Sequence, residues 1–153
     1  MNKKGITLIA LTIIILVLLI ITGTSVYFGF RALHKTNNFK VYSNLSLLYP
    51  KLEEYAEKYN FNPQDNDLPG YELTAEMITL LANNGISTTS NLWRFLTIDN
   101  IKEMDLPDSV KEPNTNLLVD YQTMEIFYTK GYRKDDGSYT YRYSEMREIE
   151  KNI

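Results

Sequence analysis

The longest apolar segment of the chain is residues 6–30, which contain no charged residue, although Lys3 and Lys4 precede them and Arg31 follows. A helix of this length is about 37 Å long, which exceeds the roughly 30 Å thickness of the hydrocarbon core of a bilayer. Its few polar side chains are hydroxyls that can donate hydrogen bonds to carbonyls of the same helix, so lipid leaves no donor unpaired. The segment therefore predicts one membrane-spanning helix.

A cleaved secretory signal is the first alternative, because the segment is N-terminal and follows two lysines. Secretory signals have an apolar region of roughly 7–15 residues that ends in small residues at an A-x-A-like site. Here the apolar core, residues 6–21, is longer, and residues 22–28 do not contain that pattern. The sequence therefore favours retention of the apolar segment.

The residues around Gly5 indicate a different processing step. The order Lys3-Lys4-Gly5-Ile6, followed by apolar residues, resembles the cleavage site of type IV pilins and pseudopilins, in which a short basic leader ends in glycine. The resemblance implies that prepilin peptidase, a membrane-embedded protease, cuts between Gly5 and Ile6 and methylates the new N-terminus. Glycine lets the backbone extend into a protease, and lysines hold the leader in the cytoplasm.

The same resemblance implies an assembly role for the start of the apolar helix, which contains Leu8, Ile9, Ala10 and Leu11. Pilins usually have glutamate five residues into the mature chain, where this chain has Ala10. In that family the carboxylate pairs with the N-terminal amine of a neighbouring subunit inside the filament, where an isolated charge is costly. Ala10 therefore implies a minor, tip or atypical subunit of a type IV pilus or of a type II secretion or competence pseudopilus.

The alternative function is an uncut single-pass membrane protein that displays a small extracellular binding module, since apolar residues follow glycine in many membrane spans. Positive charge does not distinguish the two orientations, because Lys3 and Lys4 lie on one side and Arg31, Lys35 and Lys40 on the other. The pilin resemblance places the N-terminus in the cytoplasm and the C-terminal domain outside, at the cell membrane or in an extracellular filament. Its implied partners are prepilin peptidase, other pilin-like subunits and the membrane.

The remainder of the chain is acidic. Because four of the 16 Lys and Arg lie before residue 36, 12 remain against 19 Asp and Glu, a net charge of −7. Nucleic acid is therefore not an expected partner, because phosphate contacts depend on Lys and Arg. The segment from residue 36 onward has about 118 residues, which is enough for one small hydrophobic core. The chain has no cysteine, which excludes disulfides and thiolate metal sites.

Beyond the span, the sequence predicts an α+β fold in which the long N-terminal helix continues outward. Residues 1–5 are the leader, residues 6–30 the transmembrane and assembly helix, residues 31–61 an extramembrane amphipathic helix and residues 62–153 a small outer domain. Pro50 predicts a kink or short break, because proline removes a helical hydrogen bond. The predicted apolar stripe consists of Tyr42, Leu45, Leu48, Tyr49, Leu52, Tyr55, Ala56 and Tyr59.

Short helices are predicted in the first half of the outer domain. Residues 73–86 have the pattern of a helix that Thr74 caps and that Gly85 ends, with a buried face of Met77, Leu80 and Leu81. Two more helical turns are predicted, one capped by Ser90 and one by Asp99, with core residues Leu92, Trp93, Leu96, Ile101 and Met104. Trp93 is interpreted as a buried anchor rather than a binding platform. Residues 106–114 are predicted to form a loop.

The second half predicts a three-stranded antiparallel meander over residues 117–121, 125–132 and 138–143, which are rich in β-branched and aromatic residues and separated by turn formers. Tyr139, Tyr141 and Tyr143 alternate onto one face, which is predicted to pack on the N-terminal helix, although an exposed contact surface is the alternative. Residues 144–152 predict a final helical turn. A meander after a long helix resembles the pilin architecture.

Candidate chemical sites are few. Asp65, Asp67 and Glu76 match three positions of a calcium-binding EF-hand loop, but Pro69 occupies a ligand position, so a Pro-Gly turn is the favoured interpretation. The one histidine, His34, stands between Leu33 and Lys35, which gives a histidine-based triad little support. The sequence therefore predicts no catalytic residue, metal or cofactor, and the protein is not expected to be an enzyme.

Overall fold

The computed structural model describes residues 3–65, 67–90, 92–107, 110 and 117–153. Its elements, in chain order, are α1 (Lys3–Phe61), α2 (Ala75–Asn83), β1 (Trp93–Leu96), α3 (Ile98–Glu103), β2 (Leu117–Asp120), β3 (Glu125–Arg133), β4 (Tyr139–Arg142) and α4 (Tyr143–Lys151). The chain divides into two compact units, Met1–Asn37 and Asn38–Ile153. A long apolar N-terminal helix followed by a small domain with an antiparallel sheet confirms the predicted fold class in outline.

The first unit contains the apolar part of α1. Residues 5–30 are exposed on every side of this helix. Within the described residues, α1 is the one helix that is long and apolar enough to cross a membrane, judged by length and composition. A helix that is apolar all round needs a lipid or protein environment, so α1 could span a membrane.

The second unit begins with the amphipathic part of α1, and the predicted stripe lies in its core. Leu45, Leu48, Leu52 and Ala56 are buried, and the four tyrosines of the stripe are half-buried. The helix continues through Pro50, so of the predicted kink or short break, the break does not occur. The proline costs about 3 kcal/mol, whereas burial of Leu48 and Leu52 on either side of it stabilises the helix by roughly 2 kcal/mol each.

A four-stranded antiparallel sheet of order β1-β2-β3-β4 forms the centre of the second unit. The predicted meander corresponds to β2, β3 and β4 and is confirmed, with Leu117 opposite Tyr128 in the first pair. Between β3 and β4 the register shifts, and Gly131 adopts a φ of 77° within the irregular stretch. The glycine accommodates a backbone conformation that side chains disfavour.

The sheet has one strand more than the predicted meander, and this additional strand is β1. The sequence prediction made this segment helical. Trp93 lies opposite Asp120 and Leu96 opposite Leu117. The prediction was wrong because both faces of the strand are covered: Trp93 and Leu96 are both buried, and their three-residue spacing imitates one face of a helix. Ser90 caps no helix here, since its hydroxyl donates to Asp120 Oδ1 at 2.9 Å. Trp93 is a core residue, as predicted.

The sheet has a hydrophobic core on each face. Leu117 and Val119 belong to the core that contains the α1 stripe, whereas Leu118 between them belongs to the other. The second core consists of Leu81, Trp93, Leu118 and Phe127, with Leu73, Met77, Ile86, Phe95 and Tyr141 packed against it. The sheet is therefore buried between α1 on one face and α2 on the other.

The N-cap residue of α2 is the one predicted from the sequence, whereas the N-cap residue of α3 differs from the prediction. Thr74 Oγ1 accepts a hydrogen bond from the Met77 N–H at 3.4 Å. Leu81 is buried, but Leu80 is exposed, since it lies about 100° from Leu81 around the helix. The cap of α3 is Thr97, through a capping box with Asn100, whereas the predicted Asp99 lies inside the first turn. Ile101 and Met104 are buried, as predicted.

The three alternating tyrosines do not share one environment, which corrects their predicted packing on the N-terminal helix. Tyr143 is the first residue of α4 and packs against Tyr49 of α1, with ring centroids 5.3 Å apart. Tyr141 stacks on Phe127 at 5.5 Å in the core on the α2 face, and Tyr139 is half exposed. The two-residue alternation ends where the chain turns into α4. Most of the predicted loop at residues 106–114 lies outside the described residues.

Candidate functional site

The predicted processing residues, Gly5 and Ile6, lie at the start of α1. Ile6 is 51% exposed, and a Cβ atom at Gly5 would meet no other atom within 4 Å. The first N–H groups of a helix have no partner within it, and glycine costs a helix about 1 kcal/mol relative to alanine. This end can therefore unwind at low cost to present an extended chain to a protease. Met1 and Asn2 of the predicted leader lie outside the described residues.

The predicted assembly residues Leu8, Ile9, Ala10 and Leu11 are consecutive in α1 and point about 100° apart around it. All four are exposed. Leu8 and Leu11 share one side of the helix, whereas Ile9 and Ala10 lie on other sides. The four residues do not form one patch, and the apolar surface surrounds the helix.

Three threonine hydroxyls of the apolar segment donate hydrogen bonds to the backbone of their own helix, which confirms the sequence prediction for them. The donor and acceptor pairs are Thr12 and the Leu8 carbonyl at 2.9 Å, Thr22 and the Leu18 carbonyl at 2.7 Å, and Thr24 and the Ile20 carbonyl at 3.1 Å. These donors are satisfied without a neighbouring chain. Ala10 offers only a methyl group, so it can contribute only van der Waals contacts to a neighbouring helix.

Helix α1 also carries a face of small side chains that the sequence-based prediction did not include. Thr22, Ser25, Gly29 and Ala32 follow one another at spacings of three and four residues, and all are exposed. We call these four residues the small face. Small residues let two membrane helices approach closely, and the three-and-four spacing is the sequence signal that identifies such a face.

The predicted calcium positions do not converge on a site. Asp65 accepts a hydrogen bond from the Asn62 side chain, Asp67 is exposed, and Glu76 lies in the first turn of α2. Across residues 3–65, 67–90, 92–107, 110 and 117–153, no group of three or more His, Asp or Glu could hold a metal ion. Gly70 has a φ of 108°, which suits the Pro-Gly turn that the sequence favoured over a calcium loop.

Three tyrosines among the described residues of the second unit, Tyr121, Tyr128 and Tyr132, have raised pKa values, and burial is the cause for Tyr128. Burial is the main cause of the raised pKa of Tyr121, whose hydroxyl donates to the Pro69 carbonyl at 2.8 Å. Burial also raises the pKa of Tyr132, and the Glu150 carboxylate, which accepts a hydrogen bond from its hydroxyl, adds to the effect. The Tyr121 hydroxyl therefore holds the Pro-Gly turn against the core of the sheet, and the Tyr132 hydroxyl holds α4 against it.

No model of a known protein family matches this chain, and neither a curated protein nor a solved structure matches it.

Proposed function

We propose that the protein is a pilin-like structural subunit, minor or atypical, of a type IV pilus or of a type II secretion or competence pseudopilus. The observation that carries the proposal is the division of α1 into an uncharged, fully exposed part and a part whose apolar stripe packs on an antiparallel sheet. A lone membrane anchor needs only the first of these parts. The combination matches the pilin architecture that the sequence resembles.

In this function, prepilin peptidase cuts between Gly5 and Ile6. The cut removes Lys3 and Lys4, which hold the N-terminus in the cytoplasm and whose transfer into hydrocarbon is costly. The mature helix then begins with a protonated amine, and its side chains are uncharged through Phe30. Loss of the two lysines therefore makes it easier for the helix to leave the membrane and enter a filament.

Assembly then occurs between α1 helices of neighbouring pilin-like subunits. Lipid tails are as apolar as leucine, so close packing, rather than removal of apolar surface from water, drives association inside the membrane. The small face allows that close packing, and the outer domain sets the spacing of subunits and the surface of the filament. The function includes no catalytic step and no contact with nucleic acid.

The decisive experiment is the intact mass and N-terminal residue of the protein purified from its native membrane. We expect a chain that begins at Ile6 with a methyl group on its amine, and we expect Gly5→Val to leave the leader attached and abolish filament assembly. The control is Gly23→Val, the same change at another glycine with no atom within 4 Å of its Cβ position, which should be cut normally. Normal filaments from Gly5→Val would contradict the proposal.

Ala10 favours a second candidate, an uncut single-pass protein that displays a small extracellular binding module, because the carboxylate that pilins use in assembly is missing. A native chain that begins at Met1 would support this candidate over the first. A chain that begins beyond Thr24 would indicate a secretory signal and contradict both.

A further inference from the structure

Three residues at four-residue spacing form a row on α1 at the C-terminal end of the apolar segment. Tyr27, Arg31 and Lys35 lie about 40° apart around the helix, so one face carries an aromatic ring followed by two cations. The Tyr27 side chain is 64% exposed, and Arg31 and Lys35 are exposed as well. We call these three residues the basic row.

The spacing of the basic row matches the depth of a lipid headgroup layer. Successive members are about 6 Å apart along the helix axis, which places Lys35 about 12 Å beyond Tyr27. The headgroup region on each side of the hydrocarbon core is roughly 5–8 Å thick. With the Tyr27 ring at the hydrocarbon boundary, where tyrosine is enriched, the Arg31 guanidinium reaches the phosphate layer and Lys35 its aqueous side.

The charge and the geometry of the basic row favour a phosphate group as its ligand. No acidic residue precedes Glu53 in the sequence, so the first unit supplies no carboxylate to Arg31 or Lys35. The guanidinium presents parallel N–H donors that match two oxygens of one phosphate. The basic row also lies about 140° around α1 from the centre of the small face, so a lipid and a neighbouring helix can occupy different sides.

We infer that the basic row binds the phosphate groups of anionic phospholipids. Arg31 is the bidentate ligand, Lys35 adds a second positive charge, and Tyr27 holds the helix at the depth at which both reach the headgroups. The inference requires that α1 crosses a membrane, which both functional candidates share, and it is independent of leader cleavage. Its failure would therefore leave the proposed function standing, and an uncut chain would still bind the lipid.

The test uses the full chain in vesicles of phosphatidylcholine with a minor fraction of phosphatidylglycerol. Spin-labelled phosphatidylglycerol and spin-labelled phosphatidylcholine are compared by the fraction of each label that the protein immobilises. We expect a severalfold preference for phosphatidylglycerol that weakens at high salt. Removal of each cation should weaken the association of phosphatidylglycerol with the protein about fivefold. The double variant Arg31→Gln with Lys35→Gln should therefore abolish the preference for phosphatidylglycerol.

Two matched variants separate the basic row from other positive charges. Lys102→Gln with Lys151→Gln removes the same charge from exposed positions of the second unit, and Lys3→Gln with Lys4→Gln removes it from the other end of the span. Both should keep the preference. The inference is overturned if the wild type has no preference, if Arg31→Gln with Lys35→Gln retains it, or if inorganic phosphate at the lipid's concentration abolishes it.

Discussion

The carboxylate of Glu125, at the start of β3, accepts a hydrogen bond from the backbone N–H of Ser144 at 3.1 Å and a second one from the Ser144 hydroxyl. Ser144 is the second residue of α4, whose first N–H groups have no partner within the helix. Arg142, at the N-cap position, makes no side-chain cap. A strand distant in sequence therefore caps α4, and the sheet determines where that helix begins.

Substitution Glu125→Ala should lower the free energy of unfolding of the second unit by about 1–2 kcal/mol, because α4 loses both its cap and a negative charge near the positive end of its dipole. Urea unfolding of the full chain in detergent, followed by circular dichroism, measures the change. Glu53→Ala, an exposed glutamate on α1, should change stability by less than about 0.5 kcal/mol. Equal effects of the two substitutions would refute the capping role.

Substitution Gly70→Ala should destabilise the second unit by about 3 kcal/mol, through both backbone strain and steric overlap. Gly70 has a φ of 108°, and an added Cβ would lie 2.8 Å from the Phe95 carbonyl oxygen and 2.9 Å from the Arg94 Cβ. Gly85 has a φ of 71° but no atom within 4 Å of its Cβ position, so Gly85→Ala should cost only about 1–2 kcal/mol. Thermal unfolding compares the two, and similar melting temperatures would exclude the steric contribution.

Alkaline pH should destabilise the second unit because of Tyr121. Burial raises the pKa of Tyr121 above its usual value of 10.0, so the folded state holds the phenolic proton more tightly than the unfolded state does. The resulting stabilisation is complete below about pH 10 and is lost as the pH rises through the folded-state pKa. Tyr121→Phe should therefore make the alkaline decline in stability shallower, by up to about 1.4 kcal/mol per pH unit.

Urea unfolding at neutral pH and above about pH 10 measures this difference. At neutral pH, Tyr121→Phe should cost about 1 kcal/mol for the lost hydrogen bond to the Pro69 carbonyl. Tyr139→Phe is the control, since Tyr139 is 50% exposed. If the control flattens the alkaline decline as much as Tyr121→Phe does, burial of Tyr121 is not its cause.

Substitution Gly29→Leu tests the small face. The Cβ position of Gly29 has no atom within 4 Å, so the chain itself accommodates leucine, but a neighbouring helix packed on the small face does not. Energy transfer between labelled copies in vesicles should show association weakened about fivefold, which corresponds to about 1 kcal/mol. Phe28→Leu changes an exposed residue off the small face and should leave association unchanged. Unchanged association of Gly29→Leu would exclude the small face from the contact.

Local sequence signals predicted those elements whose local and tertiary preferences agree. The stripe on α1 repeats over more than four turns, so Leu45 and Leu52 could be assigned to the core without knowledge of their partners. The hairpin turn at Asp136 and Gly137 was equally local, because its hydrogen bonds join residues close in sequence. The small face and the basic row also follow from helical spacing once α1 is known to be a continuous helix.

Contacts between distant residues account for the errors. Trp93 and Leu96 form a strand because β2 lies beside them, and nothing in that four-residue segment distinguishes a strand buried on both faces from one turn of a helix. Pro50 is accommodated because the neighbouring leucines are buried by the sheet. The fold neither supports nor contradicts the predicted cleavage after Gly5, because cleavage depends on an enzyme rather than on the fold.

The hydroxyls of Thr12, Thr22 and Thr24 each donate a hydrogen bond to their own helix, and this affects whether the helix can move reversibly between a helix bundle and lipid. A helix whose polar groups are satisfied internally, and whose apolar segment contains no carboxylate, can pass from a bundle back into lipid without breaking a hydrogen bond or separating an ion pair. The free-energy difference between the two locations is then small. If the protein is the filament subunit proposed above, the bilayer can act as a reservoir from which subunits are drawn and to which they return intact.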